Sequence, residues 1–136
     1  MEKAKRQKYL TVLIVEDDLI QTLLLKKIIT ELGFNVVDCV TSAEGAIKKT
    51  IQHQPDIITM DIILDGEMDG ISAVENIQKQ YEVPVIYITS NSDKYTFERA
   101  QKTAFVDYLS KPVSMESLSD SLTLVTSKVE KHKKTG

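Results

Sequence analysis

Short apolar runs alternate along the chain with longer amphipathic ones. Residues 10–15, Leu-Thr-Val-Leu-Ile-Val, have the length and β-branched content of a buried strand. Between 19 and 32 the apolar residues fall at Ile20, Leu24 and Ile28 and at Leu25, Ile29 and Leu32, which is helical spacing. Asp18, with Gln21 three places on, resembles a capping box at the start of that helix, and Gly33 stops it. The same alternation predicts strands over 36–40, 57–60, 85–89 and 107–110, and helices over 43–52, 71–81 and 93–103. Pro55 and Pro84 stand just ahead of the third and fourth strands. The last helix has the cleanest stripe: Met115, Leu118, Leu122, Val125 and Val129, at steps of three and four.

Five strands alternating with five helices imply a parallel sheet covered on both faces. Right-handed crossovers then favour a doubly wound α/β fold, in which ligands collect outside the carboxyl ends of the strands. The residues that follow each strand therefore matter most. The first strand ends in Glu16-Asp17-Asp18, the third in Asp61, the fourth in Thr89-Ser90, and the fifth leads into Lys111-Pro112.

Length and composition fit one soluble globular domain: 136 residues, 42% hydrophobic and 27% charged. The net charge of −3 is too balanced to point to nucleic-acid binding by charge. Lys3, Lys5, Arg6 and Lys8 crowd one end and Lys128, Lys131, Lys133 and Lys134 the other. These runs read first as solvated ends, so the folded domain is expected over 9–131, with basic, flexible segments at 1–8 and 132–136. The single cysteine, Cys39, lies in an apolar run and is expected to pack as a small hydrophobe. The basic start is not followed by an apolar stretch of signal-peptide length, and no run approaches a membrane span. A cytoplasmic location without membrane contact is the expectation.

If the first and third strands are neighbours, Glu16, Asp17 and Asp61 converge. Clustered carboxylates raise one another's pKa values unless a cation offsets the charge. Mg²⁺ is suited to such a site, since it takes oxygen ligands and keeps several waters; Mn²⁺ is a plausible substitute. No Cys or His cluster is near, which argues against zinc. Lys111 adds an ammonium and Thr89 a hydroxyl on the same rim. That combination suits phosphoryl transfer, where catalysis is mostly positioning and charge stabilisation.

These residues carry a family resemblance. Val12-Leu13-Ile14-Val15-Glu16-Asp17-Asp18, Pro55-Asp56-Ile57-Ile58-Thr59-Met60-Asp61, Pro84-Val85-Ile86-Tyr87-Ile88-Thr89-Ser90 and Asp107-Tyr108-Leu109-Ser110-Lys111-Pro112, in that order, resemble the receiver domain of two-component response regulators. The resemblance runs from about residue 10 to 125. It implies a flavodoxin-like (βα)5 fold with strand order 2-1-3-4-5. It implies Asp61 as phosphoacceptor, with Glu16, Asp17, Asp61 and the backbone carbonyl of Ile63 as the Mg²⁺ set. Lys111 and Thr89 would contact phosphoryl oxygens, Thr89 and Tyr108 would switch, and small Ser90 would leave room for the incoming group. A cis bond between Lys111 and Pro112 is also implied. The partners would be a sensor histidine kinase or phosphotransfer protein and a downstream protein target. The readout surface would be the fourth helix, fifth strand and fifth helix, which could also support a homodimer. The chain would be a signalling phosphoacceptor and not an enzyme with a separate substrate. It would be either a single-domain regulator or the receiver portion of a longer regulator or kinase.

One segment departs from the commonest family pattern. After Asp61 the loop reads Ile62-Ile63-Leu64-Asp65-Gly66-Glu67-Met68-Asp69-Gly70, one residue longer and without proline. It resembles a variant found in receivers associated with sensor kinases. Asp65, Glu67 and Asp69 read as solvated loop acids, with Asp69-Gly70 as a turn. Asp18 reads as a helix cap, and His53 and His132 as ordinary surface histidines. A flavodoxin-type cofactor module would need a Ser/Thr/Gly-rich phosphate loop where this chain has three acids. An aspartyl phosphatase would want its nucleophile in an Asp-x-Asp arrangement after the first strand, plus a cap region. A scaffold that binds without phosphorylation would typically lack an acid, the threonine or the lysine, and none is missing.

Overall fold

The computed structural model describes residues 10–90 and 93–135, and only the backbone over 128–135. Among the described residues five strands alternate with five helices: β1 Thr11–Val15, α1 Leu19–Glu31, β2 Asn35–Val40, α2 Ala43–His53, β3 Ile57–Met60, α3 Gly70–Gln78, β4 Val85–Thr89, α4 Lys94–Ala100, β5 Asp107–Ser110 and α5 Met115–Thr135. All pairings are parallel, and the order across the sheet is β2-β1-β3-β4-β5, as the resemblance implied. The basic segment 1–8 and Gly136 lie outside the described residues.

Side chains alternate across the pleat, so each strand feeds two cores. Leu13 and Val15 of β1, with Ile58, Met60, Val85 and Tyr87, pack against Ala46 of α2, Ile71, Val74 and Ile77 of α3 and Ala100 of α4. Val12 and Ile14, with Ile57, Ile86 and Ile88, pack against Leu25, Ile28 and Ile29 of α1 and Leu118, Leu122 and Val125 of α5. The three central strands are therefore almost wholly buried, while β2 and β5 at the edges are half-buried. Cys39 packs on the α1/α5 side, as expected of a small hydrophobe.

The helices begin where a side chain can satisfy the first free amides. Asp18, Ser42, Asp69 and Asp93 each accept from the backbone N–H three residues on, at Gln21, Gly45, Ser72 and Thr96. Two helices end earlier than their apolar pattern suggested. In α4 the Thr103 hydroxyl donates to the Ala100 carbonyl at 2.6 Å and pairs with the Tyr87 hydroxyl at 2.8 Å, which turns the chain towards β5. In α3 the amides of Gln80 and Tyr81 both reach back to the Ile77 carbonyl. No helix among the described residues is long and apolar enough to cross a membrane.

One polar atom interrupts the α1/α5 side of the sheet. Thr59 in β3 is buried, and its hydroxyl has no hydrogen-bond partner among the described residues. Thr59→Val keeps the shape and removes that desolvated group, so it is expected to raise unfolding stability by about 1 kcal/mol. A urea midpoint at or below the native value would count against this.

Candidate functional site

The carboxyl edge of the sheet gathers the charged residues. β1 lies between β2 and β3, and the Asp61 amide donates to the Val15 carbonyl at 3.0 Å, which sets the end of β3 beside the Glu16-Asp17 turn. Glu16, Asp17 and Asp61 each bring a carboxylate oxygen to within 4.8 Å of the others. Glu16 and Asp61 are only 2% and 5% exposed, whereas Asp17 faces solvent.

Lys111 closes the group from the far side of the sheet. Its amide donates to the Thr89 carbonyl at 3.0 Å, and its bond to Pro112 is cis, as implied. The ammonium reaches across to form an ion pair with Glu16 Oε1 at 2.6 Å and to donate to Asp61 Oδ2 at 2.9 Å. Burial tends to lower the pKa of Lys111, but the two carboxylates outweigh it and hold the ammonium above its ordinary value. Asp17 moves the other way: burial, and then its contact with the neighbouring Glu16 charge, push its carboxyl above the usual range.

The donor set fits a hard divalent cation. Three carboxylates within reach of one another carry more negative charge than one lysine can neutralise. Glu16 Oε2 accepts from the Asp18 amide at 2.9 Å, while the buried Oε1 is ion-paired to Lys111 at 2.6 Å, has no well-directed hydrogen bond among the described residues, and belongs to the group that holds the Asp17 and Asp61 carboxylates. An oxygen in that condition suits Mg²⁺, directly or through its water. Asp18 stays out of the group, capping α1 through the Gln21 amide.

The other expected residues take their places around this centre. Thr89 is buried at the end of β4, and Ser90 is exposed just beyond it. Ile63 lies in the loop after Asp61 and is 54% exposed. Tyr108 pairs with Tyr87 across β4 and β5 and sits among aromatic rings: Phe97 of α4 at 4.9 Å edge-on, Tyr87 at 5.9 Å and Phe105 at 6.2 Å. The contact with Phe97 joins the expected switch residue to α4.

The reading of the long loop as a row of solvated acids needs correction at one position. Asp69 caps α3 and is ion-paired to Arg99 of α4, with Nη1 on Oδ2 at 2.6 Å and Nη2 on Oδ1 at 3.3 Å. Burial acts to raise its pKa, but Arg99 and the Ser72 amide more than offset it and hold the carboxyl below its ordinary value. Arg99 drew no attention in the sequence, because 30 residues separate the partners and no spacing rule connects them. Three other loop positions are held too. Leu64 is buried, Met68 packs on the same core, and Asp65 bridges to Ser42. His53 is also less free than its sequence context suggested, since it lies 3.4 Å from Asp38, which Lys49 approaches at 3.5 Å. That cluster is on β2 and α2, apart from the acidic centre. The His132 side chain lies outside the described residues.

Gly70 contributes by having no side chain. A Cβ there would lie 2.9 Å from the Asp61 carbonyl carbon, 3.0 Å from Ile62 Cα and closer still to the Asp61 carbonyl oxygen. Its amide donates to the Ile62 carbonyl at 2.7 Å. The first turn of α3 is therefore pressed onto the backbone that carries Asp61.

Comparison with known proteins agrees with this geometry. The family model for the response regulator receiver domain matches residues 12–123. The chemotaxis protein CheY of Thermotoga maritima is 32% identical over 116 residues, 85% of this chain and 96% of that protein. The probable C4-dicarboxylate response regulator DctR of Halalkalibacterium halodurans is 32% identical over 120 residues, 87% of this chain; the chain spans about half, 52%, of that relative's length. Among solved structures, the receiver domain of a modulated diguanylate cyclase from Desulfovibrio desulfuricans G20 superposes with a TM-score of 0.83 at 32% identity, covering 90% of this chain and 97% of that one. The receiver domain of a Pseudomonas aeruginosa PAO1 sensor histidine kinase, described with a magnesium ion coordinated in its active-site cleft, gives 0.77 at 26% identity, covering 87% and 98%. On its sequence, its strand order and its cluster of acids beside a lysine, the chain belongs to the response regulator receiver domain family.

Proposed function

We propose that Asp61 accepts a phosphoryl group in a Mg²⁺-dependent reaction and that the domain uses the modification as a switch. The observation that carries this is the meeting of buried Asp61 with Glu16, Asp17 and Lys111 at the carboxyl edge of the sheet. Glu16, Asp17, Asp61 and the Ile63 carbonyl would hold the metal, Glu16 through water, and Mn²⁺ would serve in its place. When bound, the ion neutralises charge that develops on the phosphoryl oxygens.

The chain's own groups do the rest. A carboxylate oxygen of Asp61 attacks phosphorus in line. The bond from phosphorus to the donor breaks, whether to a phosphohistidine nitrogen or to the oxygen of a small phosphodonor, and its electron pair leaves with the donor. Lys111 is held between Glu16 and Asp61, so its charge is in place before the reaction. Ser90 at the exposed rim leaves the approach open. Thr89 hydrogen-bonds the new dianion, and Tyr108 changes its packing against Phe97. The changed surface is α4, β5 and α5, offered to a downstream protein or to a second copy.

The donor would be a sensor histidine kinase or a phosphotransfer protein, and the setting the cytoplasm, with no direct contact to nucleic acid or membrane. The domain would span 9–131. It would be a phosphoacceptor with slow self-dephosphorylation, acting alone or within a longer regulator or kinase.

Intact-mass analysis after exposure to acetyl phosphate and Mg²⁺ tests the reading. The native chain should gain one phosphoryl group, lose that gain when Mg²⁺ is chelated, and show none as Asp61→Asn. Equal labelling of native and variant chains would place the acceptor elsewhere and end this account. The lifetime of the product is a separate expectation. Ile63 presents an exposed apolar side chain two places after Asp61 and cannot orient an attacking water. The aspartyl phosphate is thus expected to last minutes or longer, and a decay within seconds in Mg²⁺ would contradict it. Asn91, which could orient a water instead, lies outside the described residues.

A further inference from the structure

We infer that Arg99 is a positioning residue for the acceptor site: through Asp69 it ties α4 to the loop that carries Asp61 and Ile63. The inference rests on the reading of Asp61 as phosphoacceptor and adds a second mechanical link between that site and the expected readout helix.

The link is a chain of short contacts. Arg99 grips both carboxylate oxygens of Asp69, and its Nη2 also lies 3.4 Å from the Ser72 hydroxyl. Asp69 accepts from the Ser72 amide at 2.9 Å, so the guanidinium holds the capped first turn of α3 as a unit. The next residue, Gly70, bears directly on the Asp61 carbonyl and donates to the Ile62 carbonyl. Little slack intervenes between Asp69 and the Asp61-Ile62-Ile63 backbone, because the Gly70 amide is bonded to the Ile62 carbonyl at 2.7 Å and the space against Asp61 is too close to admit a Cβ. A shift of Arg99 is passed to that backbone by contact, and a shift of the backbone returns to α4 the same way.

On the other side, α4 is a short helix, Lys94–Ala100, held at two different points. Phe97 meets Tyr108 edge-on, and Arg99 holds Asp69. The aromatic contact answers to β5 and the ionic one to the metal-bearing loop. With both in place, α4 has one preferred position. With the ionic contact released, the aromatic contact and the core packing of Ala100 are left to set it. The resting geometry of the acceptor and the position of the readout helix are thus two ends of one clip, whose partly exposed ion pair is weak enough to open.

The test uses the full chain as native protein, Arg99→Gln, Arg99→Lys, Asp69→Asn and the double variant Arg99→Gln/Asp69→Asn. Asparagine remains a good helix cap, so Asp69→Asn removes the charge and keeps the cap. Two measurements are made on each: amide hydrogen exchange over 61–70 and 94–100, and calorimetric titration with Mg²⁺ alone. Arg99→Gln and Asp69→Asn should each speed exchange in both segments and weaken Mg²⁺ binding by about threefold, the range of a partly exposed ion pair. The double variant should match the singles, and Arg99→Lys should recover part of the loss. If Arg99→Gln speeds exchange in 94–100 alone and binds Mg²⁺ like the native chain, the clip is only a surface ion pair and the inference fails. Exchange reads the clip without any phosphoryl chemistry, so a native chain that takes no label from acetyl phosphate would overturn the proposed function and leave this result standing on its own.

Discussion

Gly70→Ala should cost the protein about 2–4 kcal/mol of stability and most of its phosphoryl uptake, although it adds only one methyl group. The added Cβ would meet the Asp61 backbone, with the Asp61 carbonyl carbon at 2.9 Å and Ile62 Cα at 3.0 Å before any relaxation. Both obstacles are main chain, so no side chain can swing aside. Either α3 retreats and gives up the packing of Ile71, Val74 and Ile77 against the sheet, or the end of β3 moves and takes the acceptor with it. Both routes are expected to operate in part. The checks are a urea unfolding curve and the rate of labelling by acetyl phosphate in Mg²⁺. A variant with native stability and a native labelling rate would show that the contact between α3 and Asp61 is soft.

The second large effect is expected at Lys111. Lys111→Met removes the only cation seen against Glu16 and Asp61 among the described residues, and keeps most of the side chain's volume. Labelling of Asp61 should fall by about a hundredfold, the usual loss when one preorganised charge is taken from a developing anion. Stability should respond in a diagnostic way. Without metal, two mostly buried carboxylates face each other uncompensated, and the variant should melt well below the native chain. Added Mg²⁺ should restore more of the melting temperature in the variant than it adds to the native protein, because ligand binding to the folded form alone stabilises it and the variant's site is the more negative. A variant whose melting temperature ignores Mg²⁺ would mean that the acids do not form a cation site.

Much of this was readable from the residues. The alternation of apolar runs marked every strand, because central strands of a covered parallel sheet are apolar on both faces, as Ile57–Met60 and Val85–Thr89 are here. Candidate site residues were legible since such sheets collect chemistry at their carboxyl ends, and Glu16, Asp17, Asp61 and Lys111 do meet there. The strand order followed from the family resemblance, not from periodicity, which says nothing about which strands are neighbours.

What stayed hidden depends on contacts between elements distant in sequence. Asp69 read as a loop acid because local rules see a turn, whereas its partner Arg99 arrives from another helix. Gly70 read as a turn glycine, but its role comes from how closely α3 approaches β3. The ends of α3 and α4 were overestimated because their apolar pattern continues after the backbone has turned, in α4 through the Thr103 hydroxyl. The ring of Phe97 against Tyr108 likewise needed the fold, since nothing in either segment names the other.

The packing of Tyr87, Phe97, Phe105 and Tyr108 has a practical consequence. The chain contains no tryptophan, and two of its five tyrosines sit in this cluster. Tyrosine rings locked at fixed angles to one another give optical activity near 280 nm that averages away when they rotate freely. Near-ultraviolet circular dichroism of the unlabelled protein therefore reports on the β4–α4–β5 corner together with Tyr81, which packs on the same core, and no indole masks it.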